Sequence, residues 1–320
     1  MIHFKNQPKL SGFEVDKKFD ERRVVLASQI ETLLAEDELF KDKDVSVEFS
    51  HKGVSSLVSF VEADSKKYVL KIPLSSNSEE GEAQFLEAWE AVGVSVPHIY
   101  KEGRVGEHPY ILMDFVDAPI LMDEIKQSTA KKDIYIELGR TLAIMHTPKA
   151  EGYGRIIKGK PQYREFKEWL ASEDIINRVK ATQENNLLTD EHGSLTRVFD
   201  VLNAYSEKHP ISTYCHFDYD ATNILATEPI TIIDPNPTLN LGIIDIARSI
   251  VISISRSGSV DSGKQLKEGY FSGNAPYNVN ALQAAIILNA YMKFPYWYKK
   301  EKKEAIENMR QYLAQTAHLQ

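Results

Sequence analysis

A short segment in the last third of the chain holds a histidine, carboxylates and an amide at close spacing. Residues 214–225 read YCHFDYDATNIL and contain H-x-D-x-x-x-x-N, formed by His216, Asp218 and Asn223; the apolar run ITII then leads to Asp234. Phosphoryl transfer needs a carboxylate that orients and deprotonates the attacking hydroxyl, and oxygen ligands that hold Mg²⁺ against the phosphates. This segment supplies those residue types. The alternative is a turn in which Asp and Asn serve only as caps.

A second group lies in the first third. Lys71 sits inside the apolar run VLKI, and lysine is rarely buried without a partner. In kinases a strand lysine holds the α- and β-phosphates and pairs with a helix glutamate, so Glu82 in the following helix is the predicted partner. A half-buried strand whose lysine extends to solvent is the alternative. Nearby glutamates also compete for the pairing, namely Glu79, Glu80 and Glu87.

The turn before this strand could approach phosphates. It reads HKGVSS and ends in Ser55 and Ser56. Backbone N–H groups in a turn of small residues can cradle an anion, although one glycine is a weak signal and an ordinary hairpin fits as well. Gly154–Lys160 falls one residue short of a phosphate-loop pattern and has Pro161 where Ser or Thr is needed, so we interpret it as a basic surface loop.

Composition restricts the function classes. The chain has 320 residues, 42% hydrophobic and 26% charged, with net charge −8. These values are typical of a globular enzyme with two domains or lobes and argue against nucleic acid as a partner. A lone cysteine, Cys215, suits a reducing compartment, and no apolar segment is long enough to span a membrane. We therefore predict a cytoplasmic protein with neither a nucleic-acid nor a membrane partner.

The elements that position these residues change character near residue 116. Five strands and two helices are predicted before it, and mainly helices after it. We predict an α+β fold with a β-rich N-terminal lobe over 1–116 and a helical C-terminal lobe over 117–320. The predicted helices of the second part are 134–146, 166–179, 194–207, 279–293 and 299–317, with a compact β and loop region over 214–237 between them.

The order of these elements resembles the aminoglycoside phosphotransferase and choline kinase-like family, small-molecule kinases with a two-lobed protein-kinase-like fold. The resemblance covers residues 45–255. It is carried by the Lys71 strand, the Glu82 helix, the strand YILMD at 110–114, the helix LGRTLAIMH at 138–146 and the catalytic segment. The sequences IDP at 233–235 and DIAR at 245–248 resemble the antibiotic-kinase branch.

The resemblance implies a role for each matching residue. Asp218 is the catalytic carboxylate, and Asn223 and Asp234 hold Mg²⁺. Lys71 contacts the phosphates of ATP and pairs with Glu82. Asp245 braces the catalytic loop through hydrogen bonds to its backbone. The backbone of the hinge meets the adenine at Asp114, Phe115 and Val116.

Departures from the family pattern also matter. The phosphate loop is poor in glycine, so Ser55 or Ser56 takes over that contact. The residue between the histidine and the aspartate is usually small or polar, and here it is Phe217. Asp220 stands where many members have other residues, and it is the nearest candidate for a carboxylate that binds a cationic acceptor.

The predicted function is ATP-dependent phosphorylation of a hydroxyl on a small molecule, with GTP as the alternative donor. An aminoglycoside-like or other hydroxylated compound is the leading class of acceptor, and net charge −8 is compatible with a cationic one. The alternatives are a choline, sugar or hydroxylated amino acid kinase, and a non-catalytic pseudokinase, which the intact catalytic residues argue against. A protein kinase fits less well, because the short stretch between Asp234 and Asp245 leaves no activation segment.

Overall fold

The chain divides into two compact units. The structure, a computed structural model, describes residues 1–10, 17–51, 56–74, 81–188, 195–273 and 278–316. The first unit comprises Met1–Glu87 and Val96–Asp117, and the second comprises Ala88–Ser95 and Ala118–Gln320. Residues 88–95, which the sequence analysis assigned to the first lobe, thus group with the second unit.

The first unit is built on a six-stranded sheet. Its strand order is β1-β2-β3-β4-β6-β5. The strands are β1 (Ile2–Phe4), β2 (Val45–Phe49), β3 (Ser56–Ala63), β4 (Lys66–Pro73), β5 (Ile99–Val105) and β6 (His108–Asp114). Sequence patterning predicted β2 to β6 but missed β1, whose three residues are too few to show a periodicity and which pairs parallel with β2.

Helix α1 (Lys17–Ala35) supplies part of the core of this unit. Its residues Leu26, Ile30 and Leu34 are spaced four apart, so they lie on one face, and all three are buried with the apolar residues of β2 to β4. Asp20 lies in the first turn of this helix. Helix α2 (Glu82–Glu90) follows β4.

The second unit is mainly helical. Its helices are α3 (Leu121–Lys126), α4 (Ile134–Met145), α5 (Phe166–Leu170), α6 (Glu173–Glu184), α7 (Leu195–Lys208), α8 (Gly242–Ser257), α9 (Val260–Phe271), α10 (Val279–Lys299) and α11 (Lys303–Thr316). Helices α4 and α9 approach closely because Gly139 and Gly269 face each other's backbone, where a Cβ would collide with the carbonyls of Leu266 and Ile136.

Several helix predictions differ from the structure. The segment predicted as one helix over 166–179 is divided between α5 and α6, since Ala171 and Ser172 interrupt it. Helix α10 continues past the predicted end to Lys299 with Pro295 inside it. Helix α9 escaped prediction because its residues are mostly polar. In the part of the chain that the structure describes, no helix has both the length and the apolarity to cross a bilayer.

Short strands complete the second unit. A five-stranded sheet has the order β7-β10-β13-β8-β9, and β11 pairs with β12 in a separate ribbon. These strands are β7 (Lys149–Ala150), β8 (Tyr153–Ile157), β9 (Lys160–Tyr163), β10 (Ser212–Cys215), β11 (Ile224–Leu225), β12 (Thr231–Ile232) and β13 (Thr238–Asn240). The interpretation of Gly154–Lys160 as a loop was wrong: it is a hairpin, and Ile156 is buried in it.

Candidate active site

A buried carboxylate fixes the loop that follows β10. Asp245, in the first turn of α8, is 0% exposed. Its oxygens accept hydrogen bonds from the backbone N–H of His216 at 2.7 Å and of Phe217 at 2.9 Å. A carboxylate that accepts backbone N–H bonds in a buried site holds that backbone strongly. The contacts are those that the family resemblance implied for Asp245.

His216 connects this loop to the segment that carries Asp234. Its Nδ1 accepts the backbone N–H of Asp218 at 3.3 Å, and its Nε2 lies 3.1 Å from the carbonyl oxygen of Ile233. The imidazole stacks on Trp89 with 5.7 Å between ring centroids. Burial lowers the pKa of His216, which keeps the ring neutral and suits one donating and one accepting nitrogen. The histidine is therefore a positioning residue.

Asn223 and Asp234 come to the same end of the β11–β12 ribbon. Ile224 pairs with Ile232, and the N–H of Ile233 donates to the carbonyl of Asn223 at 3.0 Å. The amide nitrogen of Asn223 donates to the backbone oxygen of Asp218 at 2.8 Å and to its Oδ2 at 3.2 Å. The amide oxygen of Asn223 is thus left as its ligand atom, and the exposed Asp234 offers a carboxylate. Oxygen donors of these two kinds fit Mg²⁺.

Phe217 adopts a backbone conformation that a side chain disfavours. Its φ is 57°, in the left-handed region, where a residue with a Cβ is strained. The aromatic ring is buried, faces the edge of Trp169 at 6.3 Å between centroids, and lies under the guanidinium of Arg248 at 4.8 Å. Burial and the cation–π contact offset the strain.

Cations surround the carboxylate of Asp218. Lys293 Nζ on α10 lies 3.7 Å from its Oδ1, and Arg256 Nη2 on α8 lies 3.9 Å from its Oδ2. Burial raises the pKa of Asp218, but the charges of Lys293, Arg256 and Arg248 outweigh it, so that the pKa is lowered. The carboxylate is therefore ionised at neutral pH, as a general base requires.

The same surroundings act on Lys293. Burial and the charge of Arg248 lower its pKa to about 7, even though Asp218 acts in the opposite direction. The side chain of Lys293 is 16% exposed. Burial and the neighbouring arginines both disfavour the charged form of Lys293, so the folded structure keeps this lysine at a cost in free energy.

Asp220 is not available to an acceptor. It is 1% exposed and caps the 3₁₀ turn Ala221–Asn223 by accepting the N–H of Thr222 at 2.6 Å. Its second oxygen forms an ion pair with Arg256. The prediction that Asp220 is the nearest carboxylate for a cationic acceptor is therefore wrong, because the side chain is turned inward and already paired.

In the first unit, Lys71 and Glu82 form a buried ion pair. Nζ of Lys71 lies 2.9 Å from Oε1 and 2.7 Å from Oε2 of Glu82, and both residues are less than 5% exposed. Strand β4 and the start of α2 supply them. Of the competing glutamates, Glu87 is exposed, and Glu79 and Glu80 lie outside the described residues.

The other predicted nucleotide residues are also in the first unit. Asp114 ends β6, opposite Tyr68 of β4, and its Oδ1 accepts the hydroxyl of Tyr100 at 2.6 Å. Phe115 and Val116 follow directly and are half-buried, with Phe115 edge-on to Phe60. Ser56 is buried at the start of β3, whereas Ser55 lies outside the described residues.

Sequence analysis did not identify the cations around Asp218, although weak signals existed. Lys293 interrupts a long apolar run and is, before Lys299, the only charged residue of α10. Arg248 and Arg256 stand eight residues apart on α8 and hence on one helix face. Neither pattern indicates what the cation contacts, because the partner lies far away in sequence.

His146, Cys215 and Asp245 place one potential metal ligand each within 4.8 Å of one another. Hydrogen bonds already engage them: His146 Nε2 lies 3.1 Å from Asp245, and the Cys215 thiol contacts the carbonyl of Asn240 at 3.6 Å. Burial raises the pKa of Cys215 well above its usual value, which disfavours the thiolate that metals bind. The cluster is therefore a buried network that supports Asp245.

Solved structures share this fold at low sequence identity. The ternary complex of a thermostable mutant of aminoglycoside phosphotransferase APH(4)-Ia with ADP and hygromycin B is 13% identical, has a TM-score of 0.60, and the match covers 91% of this chain and 99% of that one. A putative fructosamine-3-kinase from Thermobifida fusca is 16% identical, with a TM-score of 0.54 and coverage of 85% and 95%. An ethanolamine kinase from Plasmodium vivax is 13% identical, with a TM-score of 0.53 and coverage of 99% and 98%.

Sequence comparison identifies the family more directly. A search of curated proteins found no significant match. The sequence profile of the phosphotransferase enzyme family matches residues 46–252, which is more than half of the chain and includes Lys71, Asp218, Asn223 and Asp234. The chain therefore belongs to the phosphotransferase enzyme family, whose members include small-molecule kinases.

Proposed function

We propose that this protein transfers the γ-phosphoryl group of ATP to an alcohol hydroxyl of a small molecule, with Mg²⁺ as cofactor. The observation that carries the proposal is the braced catalytic loop: Asp245 and His216 hold the backbone that presents an ionised Asp218. GTP is the alternative donor, because the adenine contacts assigned to the hinge involve backbone groups.

Asp218 acts as the general base. As the acceptor oxygen attacks the γ-phosphorus, its proton passes to the carboxylate of Asp218, a new P–O bond forms, and the bond to the oxygen bridging the β- and γ-phosphorus breaks to release ADP. The low pKa of Asp218 keeps it unprotonated before the attack. Asn223 donates to Oδ2 of Asp218 and so fixes the direction of the carboxylate.

Nucleotide and metal contacts are assigned by residue type and place. Asn223 Oδ1 and the Asp234 carboxylate would hold Mg²⁺, which when bound offsets the charge of the phosphates. Lys71, positioned by Glu82, contacts the α- and β-phosphates. The backbone of Asp114, Phe115 and Val116 takes the adenine, and Ser55 and Ser56 belong to the turn that meets the phosphates.

The acceptor class is inferred from the family resemblance and from the structural neighbours. An aminoglycoside-like acceptor follows from the resemblance and from the hygromycin B complex of a structural neighbour, and fructosamine and ethanolamine kinases are neighbours too. Those acceptors all carry an amine. A cationic acceptor needs carboxylates near the base, and Asp220 is paired with Arg256.

Turnover of Mg·ATP with a panel of hydroxylated acceptors tests the proposal. The Asp218→Asn variant should bind Mg·ATP normally yet lose about 10²-fold or more in kcat, because it removes the base but not the nucleotide contacts. Asp261→Asn, an exposed aspartate of α9, is the matched control and should behave like the wild type. A protein that binds Mg·ATP but turns over equally little with Asp218 intact would be a pseudokinase, and the proposal would fail.

A further inference from the structure

The catalytic carboxylate lies against cations supplied by two helices. Lys293 of α10 and Arg256 of α8 stand 3.7 Å and 3.9 Å from its two oxygens. Arg248, also on α8, donates from Nε to the carbonyl of Phe217, the residue next to Asp218. Asp218 thus has positive charge on more than one side.

The nearby carboxylates offset the charges of the arginines more than that of Lys293. Asp220 is buried and paired with Arg256. Asp174 of α6 pairs with Arg178 at 2.9 Å, and that arginine also reaches the carbonyl of Met292 beside Lys293. Among the residues that the structure describes, Asp218 is the carboxylate recorded within salt-bridge distance of Lys293. When Asp218 takes up a proton during the reaction, the charge of Lys293 loses that partner.

The sign of this field decides which acceptor can sit there. At a separation of 4 Å, two unit charges in a partly buried site interact by about 4 kcal/mol at an effective dielectric constant near 20. An ammonium group brought next to the charged form of Lys293 would be repelled by part of that amount, because Asp218 and Asp220 offset some of the positive charge, whereas a carboxylate or phosphate would be attracted to Lys293. Solvent shields the charge of Arg256, whose side chain is one-third exposed, more than that of Lys293, which is 16% exposed. Lys293 therefore makes the larger contribution to the electrostatic energy of the acceptor.

We propose that the acceptor carries an anionic group, a carboxylate or a phosphate, as well as the hydroxyl that is phosphorylated, and that Lys293 with Arg256 binds this group beside Asp218. The inference rests on the proposed phosphotransferase function and specifies its substrate class. It departs from the cationic acceptors named for the structural neighbours. Lys293 is a specificity-determining residue in this proposal, since it contacts the acceptor and not the nucleotide.

The test uses acceptors that share a skeleton and differ in charge. One set is gluconate, glucose 6-phosphate, glucose and glucosamine; the other is glycerate, glycerol 3-phosphate, glycerol and 3-amino-1,2-propanediol. In the productive set, an anionic member should exceed the amine by at least about tenfold in kcat/KM, the equivalent of about 1.4 kcal/mol. The acid and the phosphate ester of each set show which anion is preferred. Preference for the amine, or equal rates across the set, overturns the proposal.

Variants locate the effect. Lys293→Gln should raise KM for the anionic acceptor about tenfold while KM for Mg·ATP and for the neutral member changes by less than about twofold. Lys299→Gln, an exposed lysine on the same helix, is the control for the same change and should leave every constant unaltered. If Lys293→Gln lowers kcat alike for all acceptors and leaves KM unchanged, Lys293 acts on the transferred phosphoryl group, and the proposal is wrong.

If no acceptor of the panel is phosphorylated, binding measurements test the charge preference of the site. Protein saturated with Mg·ADP is titrated with malonate, inorganic phosphate and 1,3-diaminopropane. The proposal is supported if an anion binds to the wild type and binds more weakly to Lys293→Gln. It is contradicted if the diamine binds more tightly than the anions, or if the affinity for the anions is the same in Lys293→Gln. Absence of Mg·ADP and Mg·ATP binding has a different meaning: it contradicts the phosphotransferase function itself.

Discussion

The buried pair of Lys71 and Glu82 should show strong energetic coupling. We consider Lys71→Met, Glu82→Leu and the double substitution, which replace charged side chains by apolar ones of comparable length. Each single change leaves the remaining charge at a site less than 5% exposed and without the partner that now lies 2.7 Å away. The double substitution removes both charges, so neither Lys71 nor Glu82 is left buried without the other.

The expected magnitudes follow from burial. Removing one member of a buried pair costs about 3–5 kcal/mol, because an uncompensated charge stays in a medium of low polarity. Replacing both with apolar groups is often nearly neutral. The coupling energy between the two positions should therefore be about 3 kcal/mol or more, a large fraction of the ~5–15 kcal/mol that typically stabilises a domain.

The assay must report on the first unit. All three tryptophans, Trp89, Trp169 and Trp297, belong to the second unit, so their emission is the wrong probe. Peptide-resolved hydrogen exchange over β3, β4 and β6 measures local opening free energies where the pair lies. The single variants should lose protection there, and the double variant should regain most of it. Both Lys71 variants should lose phosphoryl transfer, since the proposed phosphate contact is gone.

An exposed pair on the same sheet is the control. Lys5 and Glu62 lie 3.3 Å apart with side chains 50% and 38% exposed. The same cycle at these positions should give a coupling of about 0–1 kcal/mol. Additive effects in the Lys71–Glu82 cycle, or a coupling no larger than that of the control, would refute the reasoning that burial makes this pair strong.

Four further outcomes are expected. Asp234→Ala should lose turnover and Mg²⁺-dependent ATP affinity together, as calorimetry with and without Mg²⁺ can check; unchanged Mg·ATP binding would make Asp234 a structural residue. Phe217→Gly should be about 1 kcal/mol more stable than Phe217→Ala in urea unfolding followed by tryptophan emission, because only glycine tolerates φ of 57° without strain; the opposite order would contradict that strain. Asp245→Asn should cost about 1–3 kcal/mol in the same assay, because the amide nitrogen cannot accept the N–H of His216 or Phe217 and one buried donor loses its acceptor. The pKa of Lys293 is about 7 in the folded protein and 10.5 in the unfolded chain, so between these pH values the folded protein binds fewer protons. The free energy of unfolding should therefore rise with pH across that window, relative to Lys293→Met, by about 1.4 kcal/mol per unit of pKa shift. Parallel pH profiles of the two proteins would show that the lysine is not perturbed.

The charge of the acceptor is where the prediction from sequence and our proposal from the structure differ most. A resemblance to antibiotic kinases favoured an aminoglycoside-like acceptor, net charge −8 was compatible with a cationic one, and Asp220 was the nearest candidate carboxylate. In the structure Asp220 is buried against Arg256, and Asp218 faces Lys293. Net charge sums the whole surface, whereas an acceptor responds to the few groups within about a Debye length, so the total could not predict the local sign.

Local patterns in the sequence determined much of this protein. Strands β2 to β6 and helices α1 and α4 were predictable, because side-chain alternation and helical spacing are properties of neighbouring residues. The grouping of His216, Asp218 and Asn223 in one loop was predictable for the same reason, because the three residues lie within one short segment. The Lys71–Glu82 pair spans only eleven positions, so a strand followed by a helix sufficed to suggest it.

Tertiary structure alone decided what surrounds Asp218. Lys293 comes from α10, and Arg256 comes from the far end of α8, so both lie far along the chain from the loop. The sequence predicts a lysine in an apolar helix, but it does not predict which loop that helix packs against. Electrostatic energy depends on distance in space and on burial, so the pKa of Lys293 and the sign of the charge facing the acceptor emerge only when the helices are packed.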